Sequence, residues 1–387
     1  MKKDNYLNKI AESKKPFIIY KSNKGFDLFT DFSKKIILSN RNIENFINNS
    51  TKKKLKNKET DLYIGFFGYE ILNNLIDVKI KKQKGLKFPK GIFYKPETKK
   101  KLSNKLNYKS TENLESKGTF NVNLNKVSYK NIFNKFKKKI KLGETYQIKI
   151  CTKYRKNSQI DALDFFCRLT KSNMAPEAFM INDKDYSIIS CSPENLITKT
   201  KNIISTKPIA GTLKKTKKLN KPKALIFFKK NIKETKEHNM IVDMERNDLS
   251  KICKPGSVKI LKKKIVEEYR DLYHYVSLIG GQLKNKVTSL EIIKAMMPGG
   301  SVIGCPKIST LNLLNKQEKE NRNIYTGSFG YLKFNGDMRF NIIIRSILNF
   351  KDKSEISVAS GVVIDSNAVH EFNENYIKAK SLMDLYK

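Results

Sequence analysis

The stretch Asn231-Ile232-Lys233-Glu234-Thr235-Lys236-Glu237-His238-Asn239-Met240-Ile241-Val242-Asp243 carries the reading of this chain. It opens a predicted helix from about Asn231 to Lys251, which Pro255-Gly256 ends. Glu237, Ile241, Met244 and Asp248 recur at spacings of four, three and four, so they share one stripe. A second predicted helix runs from about Val369 to the C-terminus. Its apolar stripe is expected at Phe372, Tyr376, Ala379, Met383 and Tyr386, with Glu371, Glu374 and Lys378 on a neighbouring stripe. Each helix therefore carries two glutamates three residues apart: Glu234 with Glu237, and Glu371 with Glu374. Side chains at that spacing point the same way. Like charges so close repel unless a cation lies between them, and two such helices face to face would suit Mg²⁺, which prefers carboxylate and water oxygens. A solvated helix face is the plain alternative, and for a single pair it prevails.

Outward from these helices the chain reads as short strands broken by helices. β-type runs recur at Phe17 to Tyr20, Tyr146 to Cys151, Tyr186 to Ser190, Asn341 to Ile344 and Ile356 to Val363. They lack regular βαβ alternation, which predicts an α+β protein with mainly antiparallel sheet. A polar, Lys- and Asn-rich stretch from Lys99 to Gly118 reads as a linker or long surface loop. It divides an N-terminal part, residues 1–119, from the richer region 120–387.

Composition narrows the class. Hydrophobic residues make up 39% of 387, enough for a sizeable core. The formal charge of +41 raises nucleic-acid or anionic-surface binding. The lysines are spread along the chain rather than gathered in one motif, so no nucleic-acid partner is expected, although the field would favour an anionic substrate. The five cysteines, Cys151, Cys167, Cys191, Cys253 and Cys305, are odd in number and widely spaced. They build neither a disulfide nor a zinc framework, which suits a reducing cytoplasm. Met1-Lys2-Lys3-Asp4 leads into no apolar segment and no run reaches membrane-spanning length, so neither a signal peptide nor a membrane contact is expected.

Two glycine segments suggest ligand contact. Pro208-Ile209-Ala210-Gly211-Thr212 reads as a tight turn ending in a hydroxyl. Pro298-Gly299-Gly300-Ser301 precedes Gly304-Cys305-Pro306-Lys307, offering close backbone approach, the Ser301 hydroxyl and the Lys307 charge. No G-x-x-x-x-G-K-[ST] loop is present. His238, His274 and His370 are scattered, and each reads singly as structural.

In order along the chain, these segments resemble the chorismate-utilising enzymes: anthranilate synthase component I, aminodeoxychorismate synthase component I, isochorismate synthase and salicylate synthase. The resemblance runs from about Phe120 to Lys387. It rests on Gly143 to Gln147, Ser192-Pro193-Glu194, Pro208 to Thr212, Glu237 to Asp243 continuing to Arg246-Asn247-Asp248-Leu249, Pro298 to Lys307, Tyr325 to Tyr331, Ile344-Arg345-Ser346 and Glu371 to Lys380. Eight blocks in the right order make it specific.

The resemblance implies two packed antiparallel β-sheets flanked by helices, with 120–387 as the chorismate-binding catalytic region and 1–119 as the variable part of the same fold. It implies Mg²⁺ on Glu237 and Glu374, with Glu234 and Glu371 close by. Tyr325, Arg345, Lys378 and the backbone near Gly361 are implied to hold carboxylates, while Ala210, Gly211, Thr212 and Ser301 line the ligand-facing turns. Glu194 is implied as the acid that protonates the departing ring hydroxyl, with a raised pKa, and His274 matches the family's active-site histidine. Water-using members carry a lysine base where this chain has Gln147. The expected nucleophile is therefore ammonia from a separate glutamine amidotransferase subunit.

Two products stay open. The short N-terminal part, Asn173-Met174-Ala175-Pro176, Pro298 to Ser301 and Tyr325-Thr326-Gly327-Ser328 favour 4-amino-4-deoxychorismate. Ala210, where many aminodeoxychorismate synthases carry a nucleophilic lysine, favours anthranilate and pyruvate. A basic binding protein on a decayed scaffold is the third reading, and the intact Glu194, Glu237, Glu374, Arg345 and Lys378 argue against it.

Overall fold

The computed structural model describes residues 5–386 except 54, 79, 81–83, 111–117, 217, 270 and 271, and, within elements, not the side chains of residues 5, 210 and 233. Its strands are β1 (Phe17–Ser22), β2 (Gly25–Ile37), β3 (Leu62–Phe67), β4 (Gly91–Leu102), β5 (Asn121–Val122), β6 (Gln147–Asn157), β7 (Glu177–Asn182), β8 (Tyr186–Ser192) and β9 (Asn195–Thr200). They continue as β10 (Ile203–Lys207), β11 (Ile209–Lys214), β12 (Lys259–Glu268), β13 (Leu272–Gln282), β14 (Gly304–Cys305), β15 (Ser328–Lys333), β16 (Met338–Ile342), β17 (Ser346–Phe350) and β18 (Lys353–Val362).

Every pairing between these strands is antiparallel, and all of them join one ladder. The ladder runs β6–β18–β17–β8–β7–β1–β2–β4–β3–β15–β16–β9–β10–β13. β5 and β14 add to the outer edge of β6, and β11 and β12 both pair with β13. The expected α+β class and two packed sheets are both present. The difference is that the two layers are halves of one ladder, folded over where the thirteen-residue β2 passes from β1 to β4. A register shift between Phe32 and Lys34 lies in that strand, and bulges of this kind bend a strand and increase its twist.

The halves meet through alternate residues, as the period of two requires. Ile18 and Tyr20 of β1, Phe179 and Ile181 of β7 and Ile188 of β8 share a buried cluster with Ile64 and Phe66 of β3 and Phe329 of β15. Phe179 and Phe329 stack with ring centroids 3.7 Å apart at 5°. Strands from residues 1–119 thus pair directly with strands from 120–387, β1 with β7 and β3 with β15.

Helices cover the outer faces. The Ile232–Ile252 helix lies within one residue of its predicted bounds. Asn231 caps it by accepting from the Glu234 N–H, which satisfies one orphan donor of the first turn. Ile241, Met244 and Asp248 of the predicted stripe are buried. The C-terminal helix, Ala368–Met383, departs from expectation in part. Of the expected stripe, Ala379 is buried and Phe372, Met383 and Tyr386 pack against the core, but Tyr376 is 49% exposed, and Glu371, Asn375 and Leu382 complete the buried face. The helix packs polar residues against the sheet because they meet polar groups there: the Asn375 amide donates to Thr152 Oγ1 at 3.1 Å. Two further corrections concern the loops. Lys99 to Leu102 extend β4 rather than start a linker, and residues 111–117 of that stretch lie outside the described residues. Pro208 to Thr212 is not a tight turn. Ile209–Lys214 is a strand whose register against β13 shifts between Ile209 and Thr212, and Gly211 takes φ +83 inside that bulge. Among the described residues no helix is long and apolar enough to cross a membrane.

Candidate active site

The two glutamate-bearing helices converge on the start of β6. Gln147, Lys149 and Cys151 alternate with Ile148 and Ile150, which face the core beneath. The alternate face therefore carries the polar pair. Gln147 Nε2 donates to Glu237 Oε1 at 2.9 Å, and Lys149 Nζ donates to the same oxygen at 3.1 Å. The Lys149 ammonium beside Glu237 holds that carboxyl down at about 2, against the opposing effect of burial. Opposite, Lys378 Nζ pairs with Glu374 Oε1 at 2.6 Å and donates to the Ala359 carbonyl at 3.0 Å. Burial pushes the Glu374 pKa up, but Lys378 and Lys149 together outweigh it and leave it lowered. Glu371 is buried, and the ligand atoms of His370, Glu371 and Glu374 lie within 4.8 Å of one another. Glu234 reaches Gly211, whose added Cβ would stand 3.0 Å from Glu234 Oε2 and 2.8 Å from the Phe228 ring.

Gly361 on β18 lets two side-chain ends approach the backbone closely. A Cβ there would lie 2.8 Å from both Gln147 Nε2 and Lys149 Nζ. Beside it Tyr325 packs with Cys151, Ala359 and Ile344. The next residue, Arg345, has φ 50, a conformation uncommon outside glycine. Burial pulls the Arg345 pKa down, and among the described residues no carboxylate forms an ion pair with it. A shielded guanidinium without a counter-ion costs free energy unless a ligand anion supplies one.

A second wall carries Glu194, on the bend between β8 and β9. It is 5% exposed, and burial raises its pKa to about 7. The Ser301 hydroxyl and Lys149 oppose that rise. The buried Ser301 hydroxyl faces the Glu194 carboxyl, outside normal hydrogen-bond geometry, and has no other partner among the described residues. It stands on the turn Gly300–Val302, flanked by cis peptides before Pro298 and Pro306. Gly300 is needed because a Cβ would strike Met244 Sδ. Thr212 Oγ1 and His274 Nδ1 lie 3.0 Å apart across the β11–β13 pair. Burial, with Arg345 assisting, lowers the His274 pKa to about 4, so its ring is neutral near neutrality. Ala210 is on β11, with its side chain outside the described residues.

Glu237, Glu374 and Gln147 thus gather around Lys149. Gly361 touches the same group, and Glu371 and Lys378 adjoin it. Tyr325 and Arg345 continue along the β18 side, and Glu194 with Ser301 forms the second wall. Lys307 does not serve a ligand turn. It forms a buried ion pair with Asp248 at 2.5 Å and donates to the Ala295 carbonyl, tying the turn to the long helix. Two residues escaped the sequence reading. Lys149 had a signal, since it stands two residues from Gln147 on one strand face. Arg322, fully buried, had none. It pairs with Glu318, donates to the Lys149 carbonyl at 3.0 Å and helps line a cavity of about 380 Å³ on the outer side of β6.

A family model described as chorismate binding enzyme matches residues 6–384. An aminodeoxychorismate synthase component 1 of Bacillus subtilis is 33% identical over 266 residues, covering 68% of this chain and 57% of that protein. An anthranilate synthase component I-like protein of Synechocystis is 30% identical over 347 residues, covering 83% and 72%. An anthranilate synthase component 1 of Saccharolobus solfataricus is 34% identical over 264 residues, covering 68% and 63%. The match to the Bacillus relative thus spans little more than half of that protein's length. The crystal structure of anthranilate synthase component I from Streptococcus pneumoniae superposes with a TM-score of 0.77 at 24% identity, covering 95% of this chain and 89% of that one.

Proposed function

The chain belongs to the chorismate binding enzyme family, and from that premise we propose that it aminates chorismate with ammonia to give 4-amino-4-deoxychorismate. A separate glutamine amidotransferase subunit would supply the ammonia. The observation that carries the choice of nucleophile is Gln147. Its amide donates to Glu237 and has no basic nitrogen. It can orient the carboxylate but cannot take a proton from water at the position where the water-using relatives carry a lysine base, which supports an attacking group that needs no base there.

Glu237 and Glu374, with Glu234 and Glu371 beside them, are the residues that would hold Mg²⁺. The donor set fits: all four offer carboxylate oxygens, the ligands this hard ion prefers. Set against the ammoniums of Lys149 and Lys378, they leave two formal negative charges, which a divalent ion matches. When bound, the ion neutralises and orients a substrate carboxylate.

The chain's own residues supply the rest. Arg345 offers a planar fork to a carboxylate. Tyr325 and Lys378 adjoin the same side, and Gly361 keeps the backbone open to it. Glu194, whose pKa burial raises to about 7 so that a protonated fraction persists near neutral pH, gives its proton to the departing ring hydroxyl, which leaves as water. Nitrogen forms one new bond to the ring, and the new amine sheds one proton. Chorismate and ammonia thereby become aminated product and water. Neutral His274 holds Thr212 in place on the neighbouring strand.

Ala210 favours a second product. Alanine has no amine with which to attack the ring, which removes the covalent route and suits an anthranilate-forming reaction with release of pyruvate. Product analysis by mass spectrometry and fluorescence after incubation with chorismate, Mg²⁺ and an ammonium salt separates the two. Aminodeoxychorismate, convertible by a lyase to 4-aminobenzoate, is expected. Anthranilate with pyruvate would transfer the assignment to the second reading.

A further inference from the structure

Lys149 is a cation placed inside the carboxylate cluster. Its ammonium bonds Glu237, lies within the field of Glu374 and Glu371 and is hemmed in by Gly361. Arg322 and Ile303 fix its backbone, accepting no slack: the Arg322 guanidinium donates to the Lys149 carbonyl, and the Lys149 N–H donates to the Ile303 carbonyl at 3.0 Å. The strand therefore cannot slide to withdraw the side chain. We propose that Lys149 is the resident counter-ion of this cluster, holding the carboxylates together without a divalent cation and weakening the binding of one. The proposal rests on the reading of Glu237 and Glu374 as metal ligands.

The physical argument is charge. Glutamates from two helices would repel across the gap, and the cost of that repulsion grows in a partly buried site where screening is poor. A tethered ammonium offsets it at no cost in association entropy. The same ammonium repels any cation that approaches the same carboxylates. Glu237 Oε1 already accepts from both Gln147 and Lys149, so an incoming ion meets a carboxylate whose charge is partly spent. The consequence is a metal affinity set below what four carboxylates alone would give, and an empty-state fold that does not depend on the metal.

The test compares the parent chain with Lys149→Met, which keeps length and removes charge, and with Lys149→Arg, which keeps charge. Two readouts are independent of turnover: Mg²⁺ affinity by calorimetry, and melting temperature with and without Mg²⁺. Lys149→Met is expected to bind Mg²⁺ roughly tenfold or more tightly than the parent, as removal of a like charge a few ångströms away requires. It should also melt lower than the parent in a chelator and regain the difference when Mg²⁺ is added, while Lys149→Arg stays close to the parent in both. Equal or weaker Mg²⁺ binding by Lys149→Met would overturn the proposal, leaving Lys149 as an orienting group for Glu237. Failure of both the parent and Lys149→Met to bind Mg²⁺ would overturn the metal assignment and this proposal with it. An unchanged melting temperature in chelator would remove the counter-ion role by itself.

Discussion

The proton on Glu194 can be tested through stability, apart from catalysis. Burial raises its pKa from 4.5 to about 7, and it is 5% exposed. The sign follows from linkage. Below about pH 4.5 the carboxyl is neutral in both the folded and the unfolded chain. Between that value and about 7 the unfolded chain releases the proton while the folded chain keeps it, so the unfolded state binds fewer protons and stability falls as pH rises. Above about 7 both states are ionised and the loss is complete. At about 1.4 kcal/mol per pKa unit, the folded chain gives up roughly 2–3 kcal/mol between about pH 5 and about pH 8 on account of this one group. Glu194→Gln has no such dependence. Urea unfolding of both proteins at the two pH values is therefore expected to show the variant gaining roughly 2–3 kcal/mol relative to the parent as pH rises. Other titrating groups are common to both proteins, so their contributions cancel to first order. The same variant should still bind chorismate but turn over roughly 10²- to 10⁴-fold more slowly, the usual contribution of a general acid. A stability difference that does not change with pH would refute the claim that this carboxyl is held neutral, and with it the assignment of the acid.

Three further outcomes follow from the same geometry. Arg345→Met should raise the KM for chorismate roughly 10- to 100-fold, the worth of a lost charge-assisted carboxylate bond, and an unchanged KM in steady-state kinetics would place the carboxylate elsewhere. Gly361→Ala should lower turnover roughly tenfold or more by displacing Gln147 and Lys149. Its melting temperature should move little, because the atoms it meets are flexible side-chain ends, so a wild-type rate would show that these two positions need not be held. Glu237→Gln and Glu374→Gln should each abolish activity and weaken Mg²⁺ dependence, and full activity with unchanged dependence in either would remove it from the metal ligands.

Much of this site could be read from the chain because its residues lie on regular elements. Glu234 with Glu237 and Glu371 with Glu374 are three apart on helices, so their shared direction follows from the helical period, and both helix starts lie within one residue of prediction. What the period did not reveal is which face the C-terminal helix buries. Apolarity pointed to Phe372, which packs against the core, and to Tyr376, which does not, whereas Asn375 and Glu371 are inside, because the sheet presents polar groups at that spot. The Gly211 segment was misread for a related reason. Glycine at positive φ serves a turn and a bulge alike, and only the pairing with β13 separates them. Arg322 escaped because its partner Glu318 is the cap that follows a helix ending at Gln317, so the pair lies in a loop where a spacing of four carries no helical period. Lys149 escaped because a lysine among many drew no notice, although its place two residues from Gln147 put it on the same face. The fold-over at β2 rests on contacts between strands far apart in sequence, which no local pattern encodes.

The central claim is that nitrogen, rather than the oxygen of water, is transferred to chorismate. The direct measurement is an incubation of the chain with chorismate, Mg²⁺ and ¹⁵N-ammonium in ¹⁸O-water, read by mass spectrometry. The account predicts a product that carries one ¹⁵N and no solvent oxygen. A product carrying ¹⁸O and no ¹⁵N would contradict it, because Gln147 would then stand in a site that activates water.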